Sequence, residues 1–117
     1  MKIKKTILFL LVAVVAPFLA FNTMASTPKE ETSTFKVFGN CGMCKSRIES
    51  ALKVKGVSKS SWDVKTKMLT VTYDPAVITL DDIHKKIAAV GHDTEKVKAE
   101  DKTYANLMVC CQYERKK

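Results

Sequence analysis

The chain has 117 residues, a formal net charge of +8, and 46% hydrophobic against 27% charged residues. That length suits one domain. The lysines are spread along the chain with no aromatic-rich basic stripe, which argues against nucleic acid and leaves the charge to solubility and steering. No Ser/His/Asp or paired-carboxylate constellation appears, so hydrolase chemistry has no support.

Lys2, Lys4 and Lys5 form a basic start, followed by an uncharged apolar run from Ile7 to Phe21 and then Thr23-Met24-Ala25. This is the pattern of a signal peptide over residues 1–25, cut after Ala25. Fifteen apolar residues fall short of the roughly 20 that span a bilayer. The expected protein is therefore exported and periplasmic, with no stable membrane insertion after cleavage. Residues 26–33 are rich in Ser, Thr, Pro and Glu and read as a disordered leader.

The domain is expected over residues 34–99. Phe35 and Val37 alternate in a first strand, 34–38. A helical stripe of Ile48, Ala51, Leu52 and Lys55 runs from Cys44 to Gly56, where a left-handed stop is expected. Val57–Val64 and Met68–Tyr73 read as second and third strands. Thr79-Leu80-Asp81-Asp82 is an N-cap with an acidic first turn. The second helix carries Ile83, Ile87 and Val90 and stops at Gly91. Residues 95–99 read as a fourth strand. The order β-α-β-β-α-β with right-handed crossovers predicts an α+β, ferredoxin-like sandwich. Four antiparallel strands would form its sheet, with both helices on one face. The expected core is Phe35, Val37, Ile48, Leu52, Val57, Trp62, Val64, Leu69, Val71, Ile83, Ile87 and Val97.

Four cysteines fall in two close pairs, Cys41/Cys44 and Cys110/Cys111. An even count in an exported chain first suggests disulfides. A bridge across two intervening residues removes little chain entropy, and adjacent cysteines pair only in an awkward geometry. Two long-range bridges remain open. Ligands or redox groups fit the spacing better. Cys44 sits at the start of a helix, whose dipole favours thiolate. Lys45 and Arg47 add positive charge nearby and are candidate thiolate stabilisers.

The stretch Cys41-Gly42-Met43-Cys44-Lys45-Ser46-Arg47-Ile48-Glu49-Ser50-Ala51-Leu52, with the exit Gly56-Val57, resembles the heavy-metal-associated domain family. Asp74-Pro75 and Gly91-His92-Asp93 resemble it too. That family includes copper chaperones, modules of copper-transporting ATPases and a periplasmic mercury-binding protein. The resemblance implies a metallochaperone or carrier whose metal ligands are Cys41 and Cys44. Cu(I) is the first choice of ion, with Hg(II) or Zn(II) as others. The implied partner is a metal-transporting membrane protein or another metal-binding domain, and the implied state is a monomer. Thiolates select soft ions, and two thiolates suit linear or trigonal coordination, whereas zinc normally takes four ligands.

His92, in the loop after the second helix, is a candidate third ligand or hydrogen-bond donor. Met43 is a candidate thioether ligand or an apolar lid. One departure is Gly39, where the family places a methionine. The tail, residues 100–117, has no counterpart in the shortest members. Its Cys110 and Cys111 are open to three roles: completing a four-sulfur site, handing metal to a partner, or forming a second binding point. A disulfide, or an apolar tail under the sheet, are the structural alternatives. The last four residues are expected to fray. The rival to a carrier is a periplasmic thiol-disulfide redox protein using the same C-x-x-C. That class usually has Trp before the first cysteine and a cis-proline near the site, where this chain has Asn40 and only Pro75.

Overall fold

A computed structural model describes residues 29–115. The expected signal peptide at 1–25, the start of the expected leader and the final two lysines lie outside the described residues. No described helix is long and apolar enough to cross a membrane.

Strand β1 is Glu31–Lys36. It starts three residues before the expected strand, so 31–33 belong to the sheet and not to a leader. The cause is cross-strand pairing. Thr32 meets Thr72 at 2.9 Å and Thr34 meets Thr70 at 3.3 Å through their hydroxyls, a pairing that stabilises antiparallel neighbours. Strand β2 is Val57–Trp62 and β3 is Met68–Tyr73. The sheet order is β1-β3-β2, antiparallel, with Phe35 and Trp62 both opposite Leu69. Beyond Trp62, the Asp63 carboxylate accepts the amides of Lys65 and Thr66 at 2.7 and 3.0 Å and makes a turn.

Helix α1 is Gly42–Ala51 and helix α2 is Leu80–Ala89. The expected cap of α2 forms in full: the Thr79 hydroxyl accepts from the Asp82 amide at 3.1 Å, and the Asp82 carboxylate accepts the Thr79 amide at 3.4 Å. Ile48 and Leu52 of α1 and Ile83 and Ile87 of α2 enter one core with Phe35, Leu69 and Val71. Both helices therefore cover the same face of the sheet. Each such side chain contributes roughly 1.5–3 kcal/mol on burial. Val57, Val64 and Val97 are only half-buried, while the rest of the expected core is buried.

The fold is α+β, but the sheet has three strands and the expected fourth, at 95–99, does not form. Its place beside β1 is taken by a turn. Val37 and Thr94 make one isolated bridge, and the Glu95 amide donates to the Lys36 carbonyl at 3.1 Å. The chain then turns away, because the Thr94 hydroxyl accepts from the amides of Lys96 and Val97 at 3.1 and 2.9 Å. Local side-chain bonds have displaced the ladder.

The tail is docked as far as Arg115, which holds Asp93 at 2.9 Å and so does not fray as expected; Lys116 and Lys117 lie outside the described residues. A short helix α3, Asp101–Ala105, leads to a 3-10 turn, Val109–Cys111. Leu107, Cys111 and Tyr113 join the main core. Gly91 makes room for this. Its φ is 104°, and a Cβ there would lie 2.9 Å from Leu107. The Tyr113 hydroxyl donates to the Gly91 carbonyl and accepts the Asp93 amide, both at 2.8 Å.

Candidate metal centre

The cysteine loop joins β1 to α1. Cys41 is the N-cap residue of α1, in extended backbone, and its carbonyl accepts the amides of Cys44 and Lys45 at 3.0 and 3.1 Å. This sharp start turns both sulfurs to one side, 4.0 Å apart. Cys44 is fully buried and its sulfur accepts the Asn40 amide at 3.2 Å. Gly39 is tightly enclosed: a Cβ there would come within 3.0 Å of Cys44 Cβ and of the Trp62 ring. The indole thus takes up the space beside this loop. Its Nε1 donates to the Val37 carbonyl at 2.9 Å.

The tail adds a third sulfur. Cys41, Cys44 and Cys111 bring their sulfurs within 4.8 Å of one another, and all are free thiols. Among the described residues this is the group of Cys, His, Asp or Glu side chains close enough to share an ion. Cys111 is fully buried. The 3-10 turn is tied to the loop through the Cys110 carbonyl, which accepts from the Asn40 side-chain amide and the Cys41 thiol, each at 3.5 Å.

The thiols differ in ionisation. Amides of Cys44 and Met43 at the helix start pull Cys41 down to about 7. Burial, and then the neighbouring thiol of Cys44, push Cys111 up to about 12. Cys41 therefore ionises well before Cys111.

Lys45 and Arg47 are not among the groups that lower the Cys41 pKa. The Lys45 ammonium lies 2.5 Å from Glu49 and 3.1 Å from the Trp62 carbonyl. Glu49 also accepts the Trp62 amide at 2.8 Å, so the pair fastens α1 to β2. Arg47 has its Nε buried without a partner, and its charge bears on His92. Backbone amides, not these cations, favour the Cys41 thiolate.

His92 is not brought into the sulfur group. It is fully buried, and its Nδ1 lies 2.8 Å from the Phe38 carbonyl. A carbonyl only accepts, so Nδ1 carries the proton. The ring stacks on Tyr113 with centroids 5.5 Å apart, and burial lowers its pKa. It braces the loop against the tail. Met43 is 47% exposed and covers nothing in the core. Cys110 is exposed and outside the trio, though it influences the ionisation of both Cys41 and Cys111. A four-sulfur cage is therefore not what the tail builds.

The sequence marks Asn40 only as the residue before Cys41, whereas its backbone amide serves the Cys44 sulfur and its side-chain amide the Cys110 carbonyl. Only its place next to a C-x-x-C turn could have signalled it.

The model of the heavy-metal-associated domain matches residues 34–93, just over half of the chain. A zinc-transporting ATPase of Synechocystis sp. (strain ATCC 27184 / PCC 6803 / Kazusa) is 37% identical over 78 residues, which is 65% of this chain and 11% of that protein. The chain spans about a tenth of the length of the curated relatives it matches. Among solved structures, the CopZ metallochaperone is 29% identical with a TM-score of 0.53, covering 55% of this chain and 98% of that one. Oxidized MerP from Ralstonia metallidurans CH34 is 30% identical with a TM-score of 0.54, covering 57% and 96%.

Proposed function

Because the chain belongs to the heavy-metal-associated domain family, we propose that it is an exported carrier of a soft metal ion, Cu(I) foremost and Hg(II) next. Cys41 and Cys44 are the primary ligands and Cys111 the third. The observation that carries this reading is the convergence of three free sulfurs within 4.8 Å. A triangle with sides between the 4.0 Å of Cys41–Cys44 and the 4.8 Å limit of the trio leaves a centre about 2.3–2.8 Å from each sulfur, so a slight contraction brings all three to the roughly 2.3 Å of a metal–thiolate bond. Three sulfurs suit trigonal Cu(I) or Hg(II). Zn(II) ranks third because it normally takes a fourth ligand.

The chain itself supplies ligands, a shielding core and an ionisable outer thiol. It needs no catalytic group, since the ion passes by ligand exchange: an incoming thiolate adds before an old one leaves. The basic start, the apolar run and Thr23-Met24-Ala25 support export to the periplasm. A metal-transporting membrane protein, or another metal-binding domain, is the partner that such exchange suits. The redox reading draws on the same close pair of sulfurs, but a dithiol couple has no use for a third sulfur held within reach of both.

The test is titration of the reduced protein with Cu(I) against a competing chelator. Cys41→Ser and Cys44→Ser each lose binding outright. Cys111→Ser weakens it on the order of tenfold or more, since a metal–sulfur bond contributes at least as much as an outer-shell partner. Wild-type affinity in both loop variants would overturn the proposal.

A further inference from the structure

Of the three converging sulfurs, those of Cys44 and Cys111 are fully buried, and only Cys41 is partly open. An ion can reach or leave the trio only past Cys41. Over that opening lies Cys110, exposed, with its carbonyl bonded to the Cys41 thiol and to Asn40. The four cysteines thus divide into a buried pair, Cys44 and Cys111, and a rim pair, Cys41 and Cys110.

We infer that Cys110 is the transfer ligand of the site, taking the ion from the buried sulfurs and presenting it at the rim. This rests on the metal-carrier reading above. The step is an exchange without change of oxidation state. Cys110 forms a metal–sulfur bond and releases its proton to solvent. The metal–sulfur bond to Cys111 breaks, and that sulfur takes up a proton. Cys41 stays bonded throughout as the pivot. An acceptor thiolate then bonds to the ion held by Cys41 and Cys110 as the metal–sulfur bond to Cys44 breaks, and the Cys44 sulfur takes up a proton from solvent. Adjacency in one 3-10 turn means the exchange between Cys110 and Cys111 needs a small rotation of that turn and no unfolding of the tail. Thiolate is the group soft ions select, and a serine at this place could not take the step.

The test separates holding from passing. Cu(I)-loaded full-length protein is mixed with bathocuproine disulfonate in a stopped-flow instrument, and equilibrium affinity is measured on the same samples. Cys110→Ser should leave affinity within about twofold of wild type and slow transfer at least roughly tenfold, a barrier increase of about 1.4 kcal/mol. Cys110→Met, which restores a soft sulfur, should recover part of the rate. Residue 110 is exposed, so both variants fold, which circular dichroism checks. An unchanged rate in Cys110→Ser overturns the inference, and so does a loss of affinity matching that of Cys111→Ser, which would make Cys110 a holding ligand. Wild-type protein that fails to take up Cu(I) overturns the carrier reading itself, and this inference with it.

Discussion

Arg115 grips Asp93 with two nitrogens: Nε lies 3.1 Å from Oδ2 and Nη2 lies 2.9 Å from Oδ1. The same guanidinium donates to the Ala99 carbonyl at 2.6 Å and to Asp101 at 2.9 Å. Both partners of the central pair are mostly shielded, with side-chain exposures of 14% and 9%. This clamp sits four residues after Cys111 and fixes the far side of the turn that delivers it.

Arg115→Ala is therefore expected to destabilise the fold by roughly 1.5–3 kcal/mol, the range for a hydrogen bond to a charged group whose partner is left buried. Urea denaturation measures this. The same variant should alkylate at Cys111 faster than wild type, read by mass spectrometry after a short iodoacetamide pulse. A variant with unaltered stability and a still-protected Cys111 would refute the role of the clamp.

The clamp also sets an acid limit. Burial alone would raise the Asp93 carboxyl, but Arg115 and the Ala99 amide overcome it and hold its pKa below the ordinary value. An unfolded Asp titrates near 3.9. The unfolded chain therefore takes up this proton first as pH falls. The stabilisation is complete above about pH 4 to 5 and is lost as pH drops through the folded pKa. The stability gap between wild type and Arg115→Ala, measured by denaturation against pH, should be constant at neutrality and narrow as pH falls below about 4, leaving the part carried by the bond to the Ala99 carbonyl. A gap that widens as the acid range is entered contradicts this assignment.

Cys41 should react well before Cys111. Its pKa of about 7 leaves a large thiolate fraction at neutral pH, whereas Cys111, pushed up to about 12, stays protonated. Site-resolved alkylation of the reduced, metal-free protein is expected to show an inflection near pH 7 at Cys41 and almost no labelling at Cys111 below pH 9. Equal rates at the two positions would count against the arrangement of amides around Cys41.

Much of this was legible beforehand because it is written in local patterns. The C-x-x-C turn, the alternation of Leu69, Val71 and Tyr73, and the Thr79–Asp82 box each act within a few residues. What escaped was decided at a distance. Thr94 reads as an ordinary neighbour of a strand, yet its hydroxyl makes four contacts: three to the backbone of Lys96 and Val97, which turn the chain aside, and one to His84 at 2.6 Å. His84 in turn is buried against Phe35 at 3.9 Å, although mid-helix histidines usually face outwards. The docking of the tail depends on Leu107, Cys111 and Tyr113, whose spacing has neither helical nor strand period. The hint was chemical: Gly91-His92-Asp93 offered space, an aromatic face and an acid, and the tail held a leucine, a tyrosine and an arginine to match.

Trp62 is the chain's single tryptophan, and its ring closes on Gly39 alongside Cys44: a Cβ on Gly39 would lie 3.0 Å from each. The protein therefore carries its own optical gauge. A heavy ion lodged among the sulfurs would sit close enough to that indole to quench its emission, so occupancy could be followed by fluorescence with no added dye.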